Sequence, residues 1–138
     1  MNETKTKEWY RLLRKPVWAP PSWIFGPVWT VLYFIIAITF GYVVVGYFKG
    51  TIATTIFAFF VLNLIFNALY SPLQFGLRNL LLATIDIYLV LATLIAALVL
   101  VYPYHPWVAL LNIPYLLWVS FATILQTTVT LLNRAEWK

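Results

Sequence analysis

The chain has 138 residues, of which 63% are hydrophobic and only 9% are charged. A soluble domain carries about 25% charged residues because its surface must face water, so this composition excludes a soluble fold. The sequence contains no cysteine, which excludes disulfide bonds and thiolate metal sites. The net charge of +5 comes from basic residues that flank apolar segments instead of forming one stripe, and we therefore expect no nucleic-acid partner.

Long apolar stretches follow a basic, proline-rich segment over residues 1–22, which we predict to lie at the membrane surface. No charged residue occurs in 17–48, in 50–77 or in 87–133. A bilayer core of about 30 Å requires about 20 apolar residues in a helix, and lipid offers no water to free backbone groups. The sequence therefore predicts an all-α fold, a polytopic transmembrane helix bundle forming one domain over 1–138, with about four spans near 23–48, 52–70, 79–101 and 107–132.

The distribution of cations predicts how the bundle is oriented. With four spans, the N-terminal segment, the loop between the second and third spans, and the C-terminus share one side of the membrane. Of the 9 lysine and arginine residues, all but Lys49 fall on that side. The positive-inside rule then predicts that both termini are cytoplasmic.

Polar and aromatic side chains recur at helical spacing inside three predicted spans. They are Asn63, Asn67 and Tyr70 in the second span, Tyr115, Trp118, Ala122 and Gln126 in the fourth, and Trp29 and Tyr33 in the first. Such residues either hydrogen-bond neighbouring helices, at about 0.6 kcal/mol per bond, or line a pocket for a flat, largely apolar ligand. The pattern alone favours helix packing and leaves both interpretations open.

Two ionisable residues stand apart from these stripes. Asp86 is the only carboxylate expected within a span. It either serves a proton relay or ligand site, or is an interfacial acid bonded to a neighbouring helix or to the proline-rich segment, which its shallow depth favours. His105, the only histidine, lies between two prolines; a lone histidine is a weak candidate for a haem ligand, and we expect an interfacial loop residue. The sequence has no catalytic triad, phosphate loop or paired carboxylates, so we expect no catalytic residue, no metal site and no conventional enzymatic activity.

One long motif begins before the first span and continues into it. It comprises Trp9-Tyr10, Lys15-Pro16, Trp18, Pro20-Pro21, Trp23, Phe25-Gly26-Pro27-Val28-Trp29-Thr30 and Leu32-Tyr33. Further matches follow in order at Leu64, Asn67, Tyr70, Phe75-Gly76, Arg78, Asp86, Pro114-Tyr115-Leu116, Trp118 and Gln126. Together these residues resemble the translocator protein family, also called the tryptophan-rich sensory proteins (TspO/MBR).

This resemblance implies a membrane sensor or translocator that binds tetrapyrroles such as protoporphyrin and haem and requires no cofactor. It also implies a homodimer in a lipid bilayer, here a prokaryotic cytoplasmic membrane. The basic residues Arg11, Arg14 or Lys15 would meet the ligand propionates. The ligand-binding residues implied by the resemblance are Trp29, Tyr33, Asn67, Tyr70, Tyr115, Trp118, Ala122 and Gln126 between the helices, with Trp18 and Trp23 in the overlying segment.

The sequence also departs from the family pattern. Gln126 stands where the family usually has Asn, Asn63 where it usually has Gln, and Tyr70 where Trp is usual. The family has five spans, and the span that precedes Trp9-Tyr10 has no counterpart here, which predicts a groove that is open in a monomer or filled by a neighbouring subunit. The C-terminal cholesterol-recognition pattern is missing, so we do not expect cholesterol as the ligand. Two alternatives stay open: porphyrin photo-oxidation or degradation in the same pocket, and a small proton-coupled four-helix transporter that uses Asp86.

Overall fold

The computed structural model describes residues 16–19, 22–77 and 79–133. A short helix over Pro106–Leu111 and a π-helical turn over Pro72–Gly76 accompany four helices that are long and apolar enough to cross a membrane. No β-strand occurs in these ranges, so the all-α transmembrane bundle is confirmed. The helix bounds are α1, Ser22–Phe48; α2, Thr54–Ser71; α3, Leu80–Val101; α4, Pro106–Leu111; and α5, Ile113–Leu132.

Some sequence predictions fall outside the described residues. They include the surface position of nearly all of segment 1–22 and the proposed propionate partners Arg11, Arg14 and Lys15. The cations on which the orientation rests also lie there, since Lys49 is the only lysine or arginine within the described ranges.

The last predicted span is interrupted at Asn112, which separates α4 from α5. Pro114 explains the break, because it has no backbone N–H to donate to Leu110 and its ring crowds that carbonyl. The backbone N–H of Asn112 bonds to Ala109 at 3.2 Å, while the Asn112 carbonyl accepts the N–H of Leu116 at 2.9 Å. One helix therefore ends at Asn112 and a new one starts there.

A tight turn joins α1 to α2. Gly50 has a φ of +80°, a left-handed conformation that glycine adopts without steric cost. The N–H of Gly50 bonds to Tyr47 at 3.1 Å, and that of Thr51 bonds to Gly46 at 2.8 Å. This pair of bonds is a Schellman motif, and it satisfies carbonyls that the end of α1 would otherwise leave free.

The third helix is the centre of the bundle. α3 packs along both α2 and α5, whereas α1 touches α2, α4 and α5 at fewer points. One face of α3 is fully buried, through Leu80, Ala83, Val90, Leu94 and Ala97. Many apolar side chains of the other helices point outwards, as lipid permits, and they include Phe34, Leu117 and Ile124.

Two glycines of α1 provide a matched test of this packing. A Cβ atom at Gly46 would lie 2.6 Å from Cδ1 and 2.9 Å from Cγ1 of buried Ile52, whereas a Cβ at Gly41 would meet nothing within 4 Å. We expect Gly46→Ala to destabilise the bundle by about 1–3 kcal/mol through overpacking. Gly41→Ala should leave stability unchanged or raise it by up to about 1 kcal/mol, through helix propensity. Unfolding of both variants in detergent, followed by circular dichroism, measures the difference, and equal stabilities would contradict the placement of the α1–α2 turn.

Candidate ligand-binding site

A buried hydrogen-bond network joins the polar stripe of α2 to α3 and α5. Its centre is the fully buried hydroxyl of Tyr115, which donates to Asn63 Oδ1 at 2.9 Å and accepts from Asn67 Nδ2 at 2.8 Å. Asn63 Nδ2 in turn donates to the Val90 carbonyl at 2.9 Å and to Thr93 Oγ1 at 3.3 Å. These polar groups therefore satisfy one another and tie three helices together.

A second network lies near the C-terminal end of α2. The Tyr70 hydroxyl donates to Gln126 Oε1 at 2.6 Å, and Gln126 Nε2 donates to Thr130 Oγ1 at 3.3 Å. The hydroxyls of Thr130 and Thr84 are 2.6 Å apart. Like the first network, this one connects α2, α3 and α5. The polar side chains of α2 and of α5 therefore contribute to helix packing.

A groove separates the N-terminal halves of α1 and α5. Its volume is about 510 Å³, which falls within the range of roughly 300–1,000 Å³ that is common for ligand pockets. Its lining is almost wholly apolar, and it is open on one side. The lining residues are Pro27, Val28, Val31 and Leu32 of α1 and Pro114, Leu117, Trp118 and Phe121 of α5.

Trp118 is the one lining residue of this groove with a polar side-chain atom. Its indole is half-buried and contacts the rings of Phe25 and Phe121, with centroids at 5.6 Å and 5.5 Å. Its Nε1 is buried and has no hydrogen-bond partner among the described residues. The indole N–H is thus free to donate, but it would have to turn towards the groove to reach a ligand there.

None of the other predicted aromatic residues lines the groove. Trp29 is half-buried and packs its ring against Tyr33 at 5.4 Å, while Tyr33 itself is 53% exposed. Trp18 contacts Phe121 edge-on at 5.9 Å, and Trp23 is 72% exposed. Ala122, the remaining predicted residue, packs against the main apolar core. Trp29 thus contacts the ring of Tyr33, whereas Trp118 contacts the rings of Phe25 and Phe121.

Two further polar atoms lie buried without a partner in the described part of the chain. Asp86 is only 3% exposed, and its Oδ2 has no hydrogen bond. Asn112 Nδ2 donates to Thr39 Oγ1 at 3.0 Å and to the Val108 carbonyl at 2.7 Å, but its Oδ1 has no partner. Asp86 is therefore enclosed by other side chains of the bundle, and its interfacial depth stays a prediction.

The whole sequence was compared with known proteins. The profile of the TspO/MBR family matches residues 1–132. The chain belongs to the TspO/MBR family. It is 38% identical over 127 residues to the tryptophan-rich protein TspO of Bacillus cereus, an alignment that covers 92% of this chain and 82% of the relative.

Relatives in the TspO/MBR family extend beyond one group of organisms. The chain is 32% identical to the tryptophan-rich sensory protein of Cereibacter sphaeroides, with 94% of this chain and 79% of the relative covered. It is 36% identical to the human translocator protein, with 88% of this chain and 72% of the relative covered. The family membership expected from the sequence motifs is therefore confirmed.

Sequence reasoning missed most of the groove and the joint at Asn112. The aliphatic lining residues, such as Val31 and Leu117, have the composition of ordinary lipid-facing positions, so no motif distinguishes them. The usable signal for the groove was the two prolines that line it, Pro27 and Pro114. Each lies near the N-terminal end of its helix. The pattern also gave no indication that Asn112 would bond across to Thr39.

The Tyr115 hydroxyl yields a direct test of the first network. Tyr115→Phe removes one hydroxyl and leaves both Asn63 Oδ1 and Asn67 Nδ2 without this partner, so we expect a loss of about 1–2 kcal/mol in unfolding free energy. Tyr88→Phe is the control, since the Tyr88 hydroxyl pairs with Thr127 at 2.9 Å on an exposed surface. Reversible unfolding in mixed micelles measures both variants, and a loss no larger for Tyr115→Phe than for the control would refute the central role of this hydroxyl.

Proposed function

We propose that this chain is a membrane sensor or translocator that binds a tetrapyrrole in the groove between α1 and α5. The proposal is supported by relatives named as a sensory protein and as a translocator protein. The observation that carries it is the almost wholly apolar groove, which the Trp118 indole lines and whose one polar side-chain atom, Trp118 Nε1, is buried without a partner among the described residues. A soluble metabolite would find almost no polar partners there, whereas a flat hydrophobic ligand suits the lining.

The energetics favour a ligand that has an apolar body and at least one acceptor. A buried donor without a partner costs about 1–3 kcal/mol, and a ligand acceptor that met Trp118 Nε1 would recover part of that cost. The indole face and the neighbouring ring of Phe121 offer surface on which an aromatic macrocycle can stack. Protoporphyrin and haem combine this apolar, planar body with pyrrole nitrogens and propionates.

The proposal extends to the position of the protein in the cell. Bacterial relatives favour a prokaryotic cytoplasmic membrane, with both termini on the cytoplasmic side as the lysine and arginine distribution predicts. A homodimer is the proposed assembly.

Asp86 supports a second candidate function, a small proton-coupled transporter. A carboxylate that is 3% exposed, with one oxygen that finds no partner among the described residues, is costly inside a bundle and is a group that proton carriers use. Proton-coupled uptake into vesicles should then be lost in Asp86→Asn while the variant stays folded. Unchanged coupling in that variant would remove this candidate and leave tetrapyrrole binding untouched.

Titration with protoporphyrin tests the main proposal. Tryptophan fluorescence should be quenched as the ligand binds, and Trp118→Phe should weaken binding about fivefold, the equivalent of one hydrogen bond of about 1 kcal/mol. Trp29→Phe should weaken binding less, because Trp29 lies beside the groove and does not line it. The variants are compared by affinity, which is taken from the concentration dependence of quenching. Total fluorescence intensity is not used, because the chain has 7 tryptophans and each substitution changes it.

Trp107→Phe serves as the matched control, because Trp107 packs against Tyr42 far from the groove lining. Its affinity for protoporphyrin should equal that of the unchanged protein. If Trp118→Phe also binds with unchanged affinity, the groove is not the site. Absorption spectra of the bound porphyrin in light and in darkness separate binding from photo-oxidation, since only the latter yields a new product.

A further inference from the structure

The groove between α1 and α5 opens onto the outer surface of the bundle. Its outermost lining side chains are Val31, which is 59% exposed, and Leu117, which is 65% exposed. On α1, the exposed residues Phe34 and Ile38 follow Val31 on the same helix face. On α5, the exposed residue Ile124 follows Leu117 two turns later. The mouth of the groove, formed by Val31 and Leu117, is therefore continuous with an apolar stripe on each helix.

Both stripes belong to helices that cross the membrane. α1 and α5 are among the four helices that are long and apolar enough to do so, and no charged residue occurs in 17–48 or in 87–133. In a soluble protein a contiguous apolar surface marks an interaction site, whereas in a membrane span it is the surface that meets lipid. The groove thus opens towards the hydrocarbon chains of the bilayer.

The surroundings supply hydrocarbon as the occupant of such a groove. A void at its mouth would deprive the lining atoms of dispersion contacts, and acyl chains are the molecules present at this depth of a bilayer. Water is a poor substitute, because it needs two or more polar partners. The lining has one polar side-chain atom, Trp118 Nε1, and that atom is buried.

The size and charge of the groove suit part of one acyl chain. Along α5 the lining extends over residues 114–121, about 10 Å of helix axis, within a volume of about 510 Å³. The hydrocarbon of one leaflet is about 15 Å deep, half of the bilayer core. None of the lining residues is charged, so the groove offers nothing that recognises a lipid headgroup. Recognition would act on the chain and leave the headgroup outside.

The indole of Trp118 agrees with a hydrocarbon occupant. Its Nε1 has no hydrogen-bond partner among the described residues, and an acyl chain, which has no acceptor along its length, would leave that donor unchanged. A ligand that carries an acceptor gains a hydrogen bond once the indole turns towards the groove. Such a ligand therefore has an advantage that the acyl chain lacks.

We propose that a lipid acyl chain occupies the α1–α5 groove in the membrane, and that the tetrapyrrole enters from the bilayer by displacing this chain. The inference rests on the proposed function for the displacing ligand, but not for the acyl chain. Lipid tails are as apolar as leucine, so a ligand that moves from lipid into the groove gains no hydrophobic stabilisation. Selection must then come from ring stacking and from Trp118 Nε1.

Photo-crosslinking tests the acyl-chain site. The full chain is reconstituted in phosphatidylcholine vesicles that contain a small fraction of a phosphatidylcholine with a diazirine midway along one acyl chain, and peptide mass spectrometry locates the adducts after irradiation. We expect adducts on Leu32, a buried residue of the groove lining, and on the lipid-facing residues Phe34 and Ile124. Replacing the reagent by a phosphatidylglycerol with the same chain should give the same pattern, because no charged residue lines the groove.

A pair of tryptophan substitutions provides the matched control. Val28→Trp places an indole at a half-buried position of the lining and should remove the adducts on Leu32 while those on Phe34 remain. Val99→Trp, on an exposed face of α3, should leave both adducts in place. Absence of adducts on Leu32 in the unchanged protein would overturn the proposal. This is also the result expected if a second copy of the chain covered the groove.

Protoporphyrin separates this inference from the proposed function. Added to saturation without oxygen, which prevents photo-oxidation, it should remove the adducts on Leu32 and leave those on Phe34. Adducts on Leu32 that persist while protoporphyrin binds would place the porphyrin outside the groove, which would overturn displacement and the proposed site but not the acyl-chain site. Loss of the acyl-chain site alone would leave the affinity for protoporphyrin and its dependence on Trp118 as they are.

Discussion

The hydroxyl of Tyr115 is the interaction on which the arrangement of the helices depends. It connects Asn67 and Asn63 of α2, and Asn63 continues the chain of bonds to α3. In a bilayer these amides have no water to bond, so each must find a protein partner or carry the cost of desolvation. The network therefore fixes α2, α3 and α5 relative to one another, and the apolar core forms around that arrangement.

α1 is attached to the bundle in another way. Among the described residues, its side-chain hydrogen bonds to the other helices are a buried one between Thr39 and Asn112 and one between Tyr42 and His105 of the α3–α4 turn. Both links lie in its C-terminal half, while its N-terminal half meets α5 through aromatic contacts such as Phe25 with Trp118. The groove consequently lies between the N-terminal halves of α1 and α5. The contact is closed further along α1, where Thr39 is hydrogen-bonded to Asn112.

The sequence predicted the bundle well because the cost of placing charge in lipid is large and local. Stretches without charged residues predicted four spans directly, and the helical spacing of Asn63 and Asn67 correctly indicated a shared polar face. Spacing does not reveal which helix lies opposite, so the bond between Asn67 and Tyr115 could not be derived. The break at Asn112 was missed because Pro114 is compatible with the first turn of a helix as well as with an interruption.

The candidate site was harder to predict than the fold. Family resemblance indicated Trp29 and Trp118 as ligand-binding residues, and that assignment stays a prediction. Of these two tryptophans, only Trp118 lines the groove in the structure. Aliphatic side chains provide most of the remaining surface. Aliphatic positions that line a groove and aliphatic positions that face lipid are the same residue types, so only the path of the backbone distinguishes them.

The most direct test of the account is to block the groove. The chain has no cysteine, so a single cysteine at Val31 or Leu117, on opposite walls of the groove, can be labelled with a bulky maleimide. Val99, an exposed residue of α3, provides the control position. The account predicts that labels at Val31 and Leu117 each abolish most protoporphyrin binding while a label at Val99 leaves it unchanged. Equal binding by all three labelled proteins would contradict it.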